Sequence, residues 1–257
     1  MHDPLILNPI LGIPLIKPGM TLSNIILESL PLNGICIKTG DVIVITQKIV
    51  SKAEGRFVNL SEITPSKRAK KISRLVKKDQ RLIELILSES REILRMKENF
   101  IIVEHRLGFV CANAGIDHSN VEGLYGNPKD WYLLLPKNPD KSAKQIREDI
   151  YKQKGIYVGI LIIDSQGRAW RNGTIGTTIG LAGLPGLVDL RGQEDLFGYE
   201  LKVTQVAAAD ELASAASLIM GQAKEKTPCV HVRGFPYEPR NSNIQELLRN
   251  KELDLFR

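Results

Sequence analysis

Aromatic residues are scarce. They make up 5% of the 257-residue chain, which weakens any reading built on the stacking platforms that hold single-stranded nucleic acid. Cysteine is scarcer still. Cys36, Cys111 and Cys229 are widely spaced, with no CxxC pair and no metal-ligand spacing. That pattern excludes a disulfide framework and reads as three reduced thiols in a reducing compartment. Long apolar runs are missing. The longest, Val158 to Ile163, is far short of the ~20 residues that span a bilayer. Met1-His2-Asp3-Pro4 carries no basic leader region, and the apolar stretch after it is broken by Pro9, Pro14 and Pro18. No secretory leader is expected, and the expected location is the cytoplasm. The phosphate loops of the Walker and Rossmann types are absent, as are HExxH and GxSxG. His2, His105, His118 and His231 are scattered, and their spacing points to no particular triad. There is no internal repeat and no low-complexity segment.

What is present is a globular composition, 43% hydrophobic and 25% charged. A chain this long buries roughly 70–75% of its unfolded surface, so one large domain or two small ones need no staple. The net charge is +6, from 35 basic and 29 acidic residues. This balance suits an anionic ligand such as a nucleotide, phosphate or polycarboxylate, and also nucleic acid.

Periodicity predicts a short strand over Ile13 to Ile16, a helix from Leu22 to Leu30 stopped near Pro31, and a buried β-branched strand over Val42 to Thr46. Residues 66–95 read as helical, with Ser66 as N-cap and a basic face from Lys67 to Lys78. That face is either a solvated surface or a nucleic-acid patch. Strands are expected over Phe100 to Val103, Phe109 to Ala112, Leu133 to Leu135, Tyr157 to Ile163, Leu201 to Val206 and Pro228 to Val232. Helices are expected over Ser142 to Lys152, Ala207 to Met220 and Asn243 to Leu253. Gly173 to Gly192 reads as a long Gly-rich loop. The order lacks strict βαβ alternation, which predicts an α+β fold of irregular mixed sheets with flanking helices.

Four clusters could carry chemistry. Gln47 to Gly55 follows a buried strand, and Lys48, Lys52 and Ser51 could hold phosphate oxygens there, unless the segment is an ordinary polar connection. Asn113-Ala114-Gly115-Ile116-Asp117-His118-Ser119-Asn120 offers a carboxylate and an amide, or is an Asx-rich turn. Asp164 to Gly173 places a carboxylate at a strand end, a site for magnesium and substrate phosphates. Arg168 and Arg171 could then stabilise charge on a transferring phosphoryl group. The bland alternative is a turn with two solvated arginines. The alanine-rich helix Ala207 to Met220 is thin enough for another backbone, or a second subunit, to approach. Its Asp210 and Glu211 suit a first helical turn with no further role.

Val50-Ser-Lys-Ala-Glu-Gly55, Asn113-Ala-Gly-Ile-Asp117 with Ser119-Asn120, Asp164-Ser-x-Gly-Arg168-x-Trp-Arg171-x-Gly173, and Ala209-Asp-Glu-Leu-Ala213 ending in Met220-Gly221-Gln222 resemble the coenzyme F-420-0:L-glutamate ligase family. Gly12-Ile13-Pro14-Leu15 and Val232-Arg233-Gly234 fit the same pattern. The likeness runs from about residue 10 to residue 235 with the motifs in order.

The resemblance implies a GTP-dependent γ-glutamyl ligase that joins L-glutamate to coenzyme F-420-0 and, in some members, adds further glutamates. It implies magnesium or manganese, help from potassium, and an intertwined homodimer of α+β type. It implies a single catalytic unit over residues 1–257, with two interleaved subdomains as an option. No flavin reductase domain is expected, and neither a membrane nor a nucleic-acid partner. Asp117, Asp164 and Ser165 would be metal ligands. Gln222 stands where some members have glutamate, and a neutral amide is the weaker ligand. Gly12, Ile13, Pro14, Leu15, Gln47, Lys48, Lys52, Asn120, Met220, Gly221 and Gln222 would contact the nucleotide.

Overall fold

A computed structural model describes residues 4–255; Met1 to Asp3, where no basic leader region was found, lie outside the described residues. The elements in chain order are β1 (Ile6–Pro9), α1 (Leu22–Leu32), β2 (Val42–Thr46), α2 (Gln47–Ala53), β3 (Phe57–Asn59), α3 (Lys67–Val76) and α4 (Gln80–Ser88). There follow β4 (Ser90–Lys97), β5 (Phe100–His105), β6 (Val110–Ala112), β7 (Trp131–Leu133), α5 (Pro139–Lys154), β8 (Gly159–Arg168) and β9 (Arg171–Ala182). The chain closes with β10 (Val188–Asp189), β11 (Gln205–Val206), α6 (Ala208–Met220) and β12 (Cys229–Arg233).

The main sheet has the order β1-β12-β2-β8-β9. Only β2 and β8 pair in parallel; the other neighbours are antiparallel. Alternation gives the sheet two buried faces. Ile43, Ile45, Ile160 and Ile162 turn toward a core shared with α1, α3, α4 and α5. Val42, Val44, Leu161 and Ile163 turn toward Ala209, Leu212, Ala213 and Ala216 of α6. Smaller sheets β3-β7, β4-β5-β6 and β10-β11 surround it. This is the expected α+β class of mixed sheets.

The thin helix α6 lies against β9 with almost nothing between them. A Cβ added to Gly176 would come within 2.5 Å of the Ala213 oxygen and 2.7 Å of Ser217 Cβ. The backbone that approaches the alanines is therefore the chain's own strand. Asp210 accepts from the Thr178 amide at 2.9 Å, a purely structural bond. At the amino end of β2, buried Asp41 accepts from His231 Nε2 (2.8 Å), Arg233 Nε (2.9 Å) and the Lys38 amide (2.8 Å).

Several expectations change. Ile13 to Ile16 is irregular, and the N-terminal strand is Ile6–Pro9. Ser66 caps α3 as expected, its hydroxyl accepting from the Ala69 amide, but helix stops at Ser88 and β4 follows. Pairing with β5, through two irregularities of register, overrides the helical propensity of its Arg, Glu, Leu and Met residues. The first half of the Gly-rich stretch, Gly173 to Ala182, lies in the twelve-residue strand β9 rather than in a loop. The strand at Leu133 to Leu135 falls at Trp131–Leu133, and the terminal helix is two short 3₁₀ turns.

Candidate active site

The parallel strands β2 and β8 end side by side, with Thr46 opposite Ile163. Carboxyl ends of neighbouring parallel strands present their next residues to one crevice. From β2 these are Gln47 and Lys48, which open α2. From β8 the next residue is Asp164. Its strand does not end at Ile163, as the sequence suggested, but continues to Arg168 as one arm of a hairpin.

Asp117 arrives from the loop after β6. Asn113, Ala114 and Gly115 have φ of 50, 55 and 62°. Three successive left-handed residues reverse the chain sharply, a conformation that costs non-glycine residues energy and needs tight surroundings. Ala114 is fully buried, and a Cβ on Gly115 would lie 2.7 Å from Leu135 Cδ1. Asp117 then exchanges backbone bonds with Leu133, at 2.9 and 2.8 Å.

Gln47 Nε2 donates to Asp117 Oδ2, and Lys48 Nζ is 3.3 Å from the same oxygen. Ser51, one turn along, donates to Gln47 Oε1 at 3.0 Å. That bond leaves the amide N–H facing Asp117. Lys48 and Lys52 share one face of α2, four residues apart. Lys48 Nζ donates to the Ser119 carbonyl at 2.9 Å, and Lys52 Nζ to the Asn120 carbonyl at 2.8 Å. Burial holds the Lys52 ammonium below its ordinary range, and the positive charge of Lys48 adds to this; Glu122 and Asp117 oppose it. Asn120 Nδ2 donates to the Ala223 carbonyl at 3.1 Å and ties the Met220-Gly221-Gln222 loop to this group.

Asp164 is half-buried and accepts from Gln166 Nε2 at 3.2 Å. Its carboxyl is pushed up to about 7, first by burial and then by the negative charge of Asp117. Gln166, the Ser165 amide and Lys48 act in the other direction. Burial, with the Asp164 charge behind it, pushes the Cys111 thiol up to about 12.

Two crowded carboxylates with one lysine between them fit a hard divalent cation. Oxygen donors select magnesium or manganese over softer metals, and a cation would relieve the repulsion that raises Asp164. Among the described residues no group of three His, Cys, Asp or Glu side chains is placed to hold a metal. The fit therefore leaves coordination positions for substrate oxygens, as magnesium sites with phosphates do.

The other residues implied by the resemblance divide between two faces of the β8–β9 hairpin. Asp164 pairs with Thr177, and Ser165 with Gly176. Opposed residues share a face, so Ser165 lies on the α6 side with Gly176. Gln222, whose Nε2 donates to Ser217 Oγ at 3.0 Å, is anchored on that side too. Asp164 lies on the opposite face. Ser165 touches the Asp164 carboxyl through its amide. Arg168 and Arg171 pair with each other at the hairpin tip. Arg168 is four residues beyond Asp164, about 13 Å along an extended strand. Gly12 to Leu15 form an irregular segment, exposed except at Ile13, which packs on the core. The segment leads to Gly19, whose amide bonds the Ala53 carbonyl at the end of α2.

Sequence reasoning did not single out Cys111, Ser51 as the holder of Gln47, or Gln166 as the partner of Asp164. Ser51 was findable from its i+4 spacing on a helix. Gln166 was not, because Asp164-Ser-Gln-Gly167 reads as a turn until pairing with β9 is known.

A model of the F420-0:Gamma-glutamyl ligase family matches residues 11–234. The chain is 45% identical over 248 residues to the coenzyme F420:L-glutamate ligase of Methanothermobacter thermautotrophicus, covering 96% of each chain. It is 46% identical over 221 residues to the enzyme of that name from Methanocaldococcus jannaschii, covering 86% of each. The likeness to the Archaeoglobus fulgidus enzyme of that name is 39% over 249 residues, covering 97% of this chain and 95% of its relative. Matched over most of its length by the family and by these relatives, the chain belongs to the F420-0:Gamma-glutamyl ligase family.

Proposed function

We propose that this protein is a GTP-dependent ligase that joins L-glutamate to coenzyme F-420-0. Family membership and the names of its relatives support a ligase in the biosynthesis of that coenzyme. The observation that carries the nucleotide-and-metal part of the reading is the meeting of Asp117 and Asp164 beside Lys48 and Lys52.

A carboxylate resists amines at neutral pH because oxide is a poor leaving group. In the proposed reaction a carboxylate oxygen of F-420-0 attacks the γ-phosphorus of GTP, the bond to GDP breaks, and an acyl phosphate forms. The glutamate amine attacks the acyl carbon, phosphate leaves with the bonding pair, and the amine proton passes to solvent. Asp117 and Asp164 would hold magnesium or manganese, which supplies charge neutralisation at phosphate oxygens when bound. Ser165 and Gln222, on the other hairpin face, would serve a further cation or the nucleotide. Lys48 and Lys52 would offset the remaining phosphate charge, and Arg168 or Arg171 from the hairpin tip would add to it. Positioning and electrostatics carry phosphoryl transfer of this kind.

A homodimer belongs to the same reading. The arm around β10 and β11 exposes Leu196 (96%) and Phe197 (94%), a surface suited to a second copy. Light scattering behind size exclusion reads the mass.

The deciding experiment is a mass-spectrometric end-point assay with F-420-0, L-glutamate, GTP and manganese. A product heavier by one or more glutamyl units, absent without glutamate or metal, is the expected result. Metal-dependent GTP binding without product would keep the nucleotide site and refute this acceptor. Failure of both would refute the reading.

A further inference from the structure

A groove of about 500 Å3 runs between the start of α1, the end of α2 and one face of α5. Small-molecule sites occupy roughly 300–1,000 Å3. The groove lies across α2 from the lysine pair. Val50 and Ala53 line it, whereas Lys48 and Lys52 reach toward Asp117 and Asn120. At 3.6 residues per turn the two pairs point roughly 150° apart.

The groove is rich in unused donors. Ser23 lines it, is 1% exposed, and its Oγ has no hydrogen-bond partner. A buried hydroxyl left unpaired is costly, and a ligand oxygen would give it a partner. Thr21, at the N-cap of the eleven-residue helix α1, makes no side-chain capping bond. The first-turn amides remain as donors. At the start of α5, Lys137 and Lys141 add two exposed ammonium groups.

The lining carboxylates are engaged. Glu54 accepts from the Lys137 amide at 2.9 Å and from Ser142 Oγ at 2.6 Å. Asp149 accepts from Gln145 Nε2 at 2.8 Å and has Lys152 Nζ at 4.0 Å. Between the polar ends the wall is apolar, built by Leu22, Val50 and Ile146. Donors at the ends and carbon in the middle match a molecule with acidic oxygens and an apolar body.

We propose that this groove is a second ligand site, separate from the aspartate–lysine site, for an organic anion that is a phosphate ester or a polycarboxylate. Its acidic oxygens meet Ser23 and the lysines, and its carbon body covers Leu22, Val50 and Ile146. The inference does not rest on the ligase reading.

The test is calorimetric titration of the full chain, with metal removed by a chelator, using phenyl phosphate and glutarate as probes. Inorganic phosphate serves as the head group alone. The expected result is saturable one-to-one binding of one organic probe, weakened about tenfold by Lys141→Glu and about fivefold by Ser23→Ala. Lys52→Ala should leave that affinity within about twofold. The organic probe that binds tells ester from carboxylate. Three results overturn the proposal. One is no saturation by either organic probe up to about 20 mM. Another is binding abolished by Lys52→Ala but retained in Lys141→Glu, which would put the probes in the nucleotide site. The third is an affinity unmoved by both Ser23→Ala and Lys141→Glu.

Discussion

Replacing Asp164 by asparagine should stabilise the metal-free protein, and only at the right pH. The Asp164 carboxyl is raised from its ordinary 3.8 to about 7, first by burial and then by Asp117. Between these values the folded state keeps a proton that the unfolded chain has released. Stability therefore falls as pH rises from about 4 to about 7, and above 7 the penalty is complete. At roughly 1.4 kcal/mol per pH unit, the penalty is at most about 4 kcal/mol. An asparagine side chain in its place would carry no charge and no such penalty. At about 2–4 °C per kcal/mol for a chain of this size, Asp164→Asn should melt up to ~16 °C higher than the wild type at pH 8. At pH 4.5 the difference should shrink to about a quarter of that. Thermal unfolding in a chelator, followed by circular dichroism at both pH values, measures this.

Manganese should reverse the order. A ligand that binds only the folded state stabilises it by RT ln(1 + [L]/Kd). The wild type has both carboxylates and should gain; Asp164→Asn should gain little and should lose most ligase turnover. An equal difference in melting at the two pH values would refute the electrostatic argument. A variant that melts lower than the wild type at pH 8 would refute it as well, since Asp164 would then be a net structural contributor. Stabilisation of the variant by manganese as strong as that of the wild type would remove Asp164 from the metal site.

Other substitutions probe neighbouring parts of the argument. Lys52→Ala should weaken GTP binding about tenfold, the loss of one charge-assisted contact; an unchanged dissociation constant by calorimetry would take Lys52 out of the site. Gly176→Ala drives a methyl to within 2.5 Å of the Ala213 oxygen and should cost about 1–3 kcal/mol as α6 is pushed off β9, seen as a lower denaturant midpoint. Asp41 is held below its ordinary range by Arg233 and His231 against the opposing effect of its burial. Its stabilising contribution is therefore present above pH 3.8 and lost as pH falls through the folded value. Asp41→Asn should cost about 1–3 kcal/mol at pH 7, because buried Asp41 loses its charge-assisted bonds to Arg233 and His231 while Arg233, partly exposed, keeps the Cys36 carbonyl, and the difference in melting should shrink below pH 3.

The strands that were legible in the sequence are those whose own residues decide the matter. Val42 to Ile45 is β-branched and buried on both faces, so composition alone marks it. Ser66 announces α3 because its hydroxyl is suited to an amide three residues on. What could not be read is whatever depends on a distant partner. β4 has a helix former's composition and becomes a strand only because β5 is there to pair with it. Gly173, Gly176 and Gly180 make β9 look like a loop. Gly176 and Gly180 are instead required for close approach, to α6 on one side and to Pro139 on the other.

The site shows the same division at finer scale. The motifs are local, and their order in the chain carried the family likeness. Their meeting is not local. Asp117 and Asp164 come together because β2 and β8 pair in parallel and a left-handed turn at Asn113 to Gly115 returns the chain to β7. Strand alternation then separates Asp164 from Ser165 by a full sheet face, although they are adjacent in sequence. A cation held by Asp117 and Asp164 therefore need not be the one nearest Ser165 and Gln222. Under the proposed function, that geometry would offer two cation positions of different character, one facing paired carboxylates and one facing neutral oxygens. Asp164→Asn should abolish manganese binding at the first position, while Gln222→Ala should spare it, and manganese paramagnetic resonance on the two variants distinguishes the positions. Equal loss in both would mean that a single cation bridges the hairpin edge.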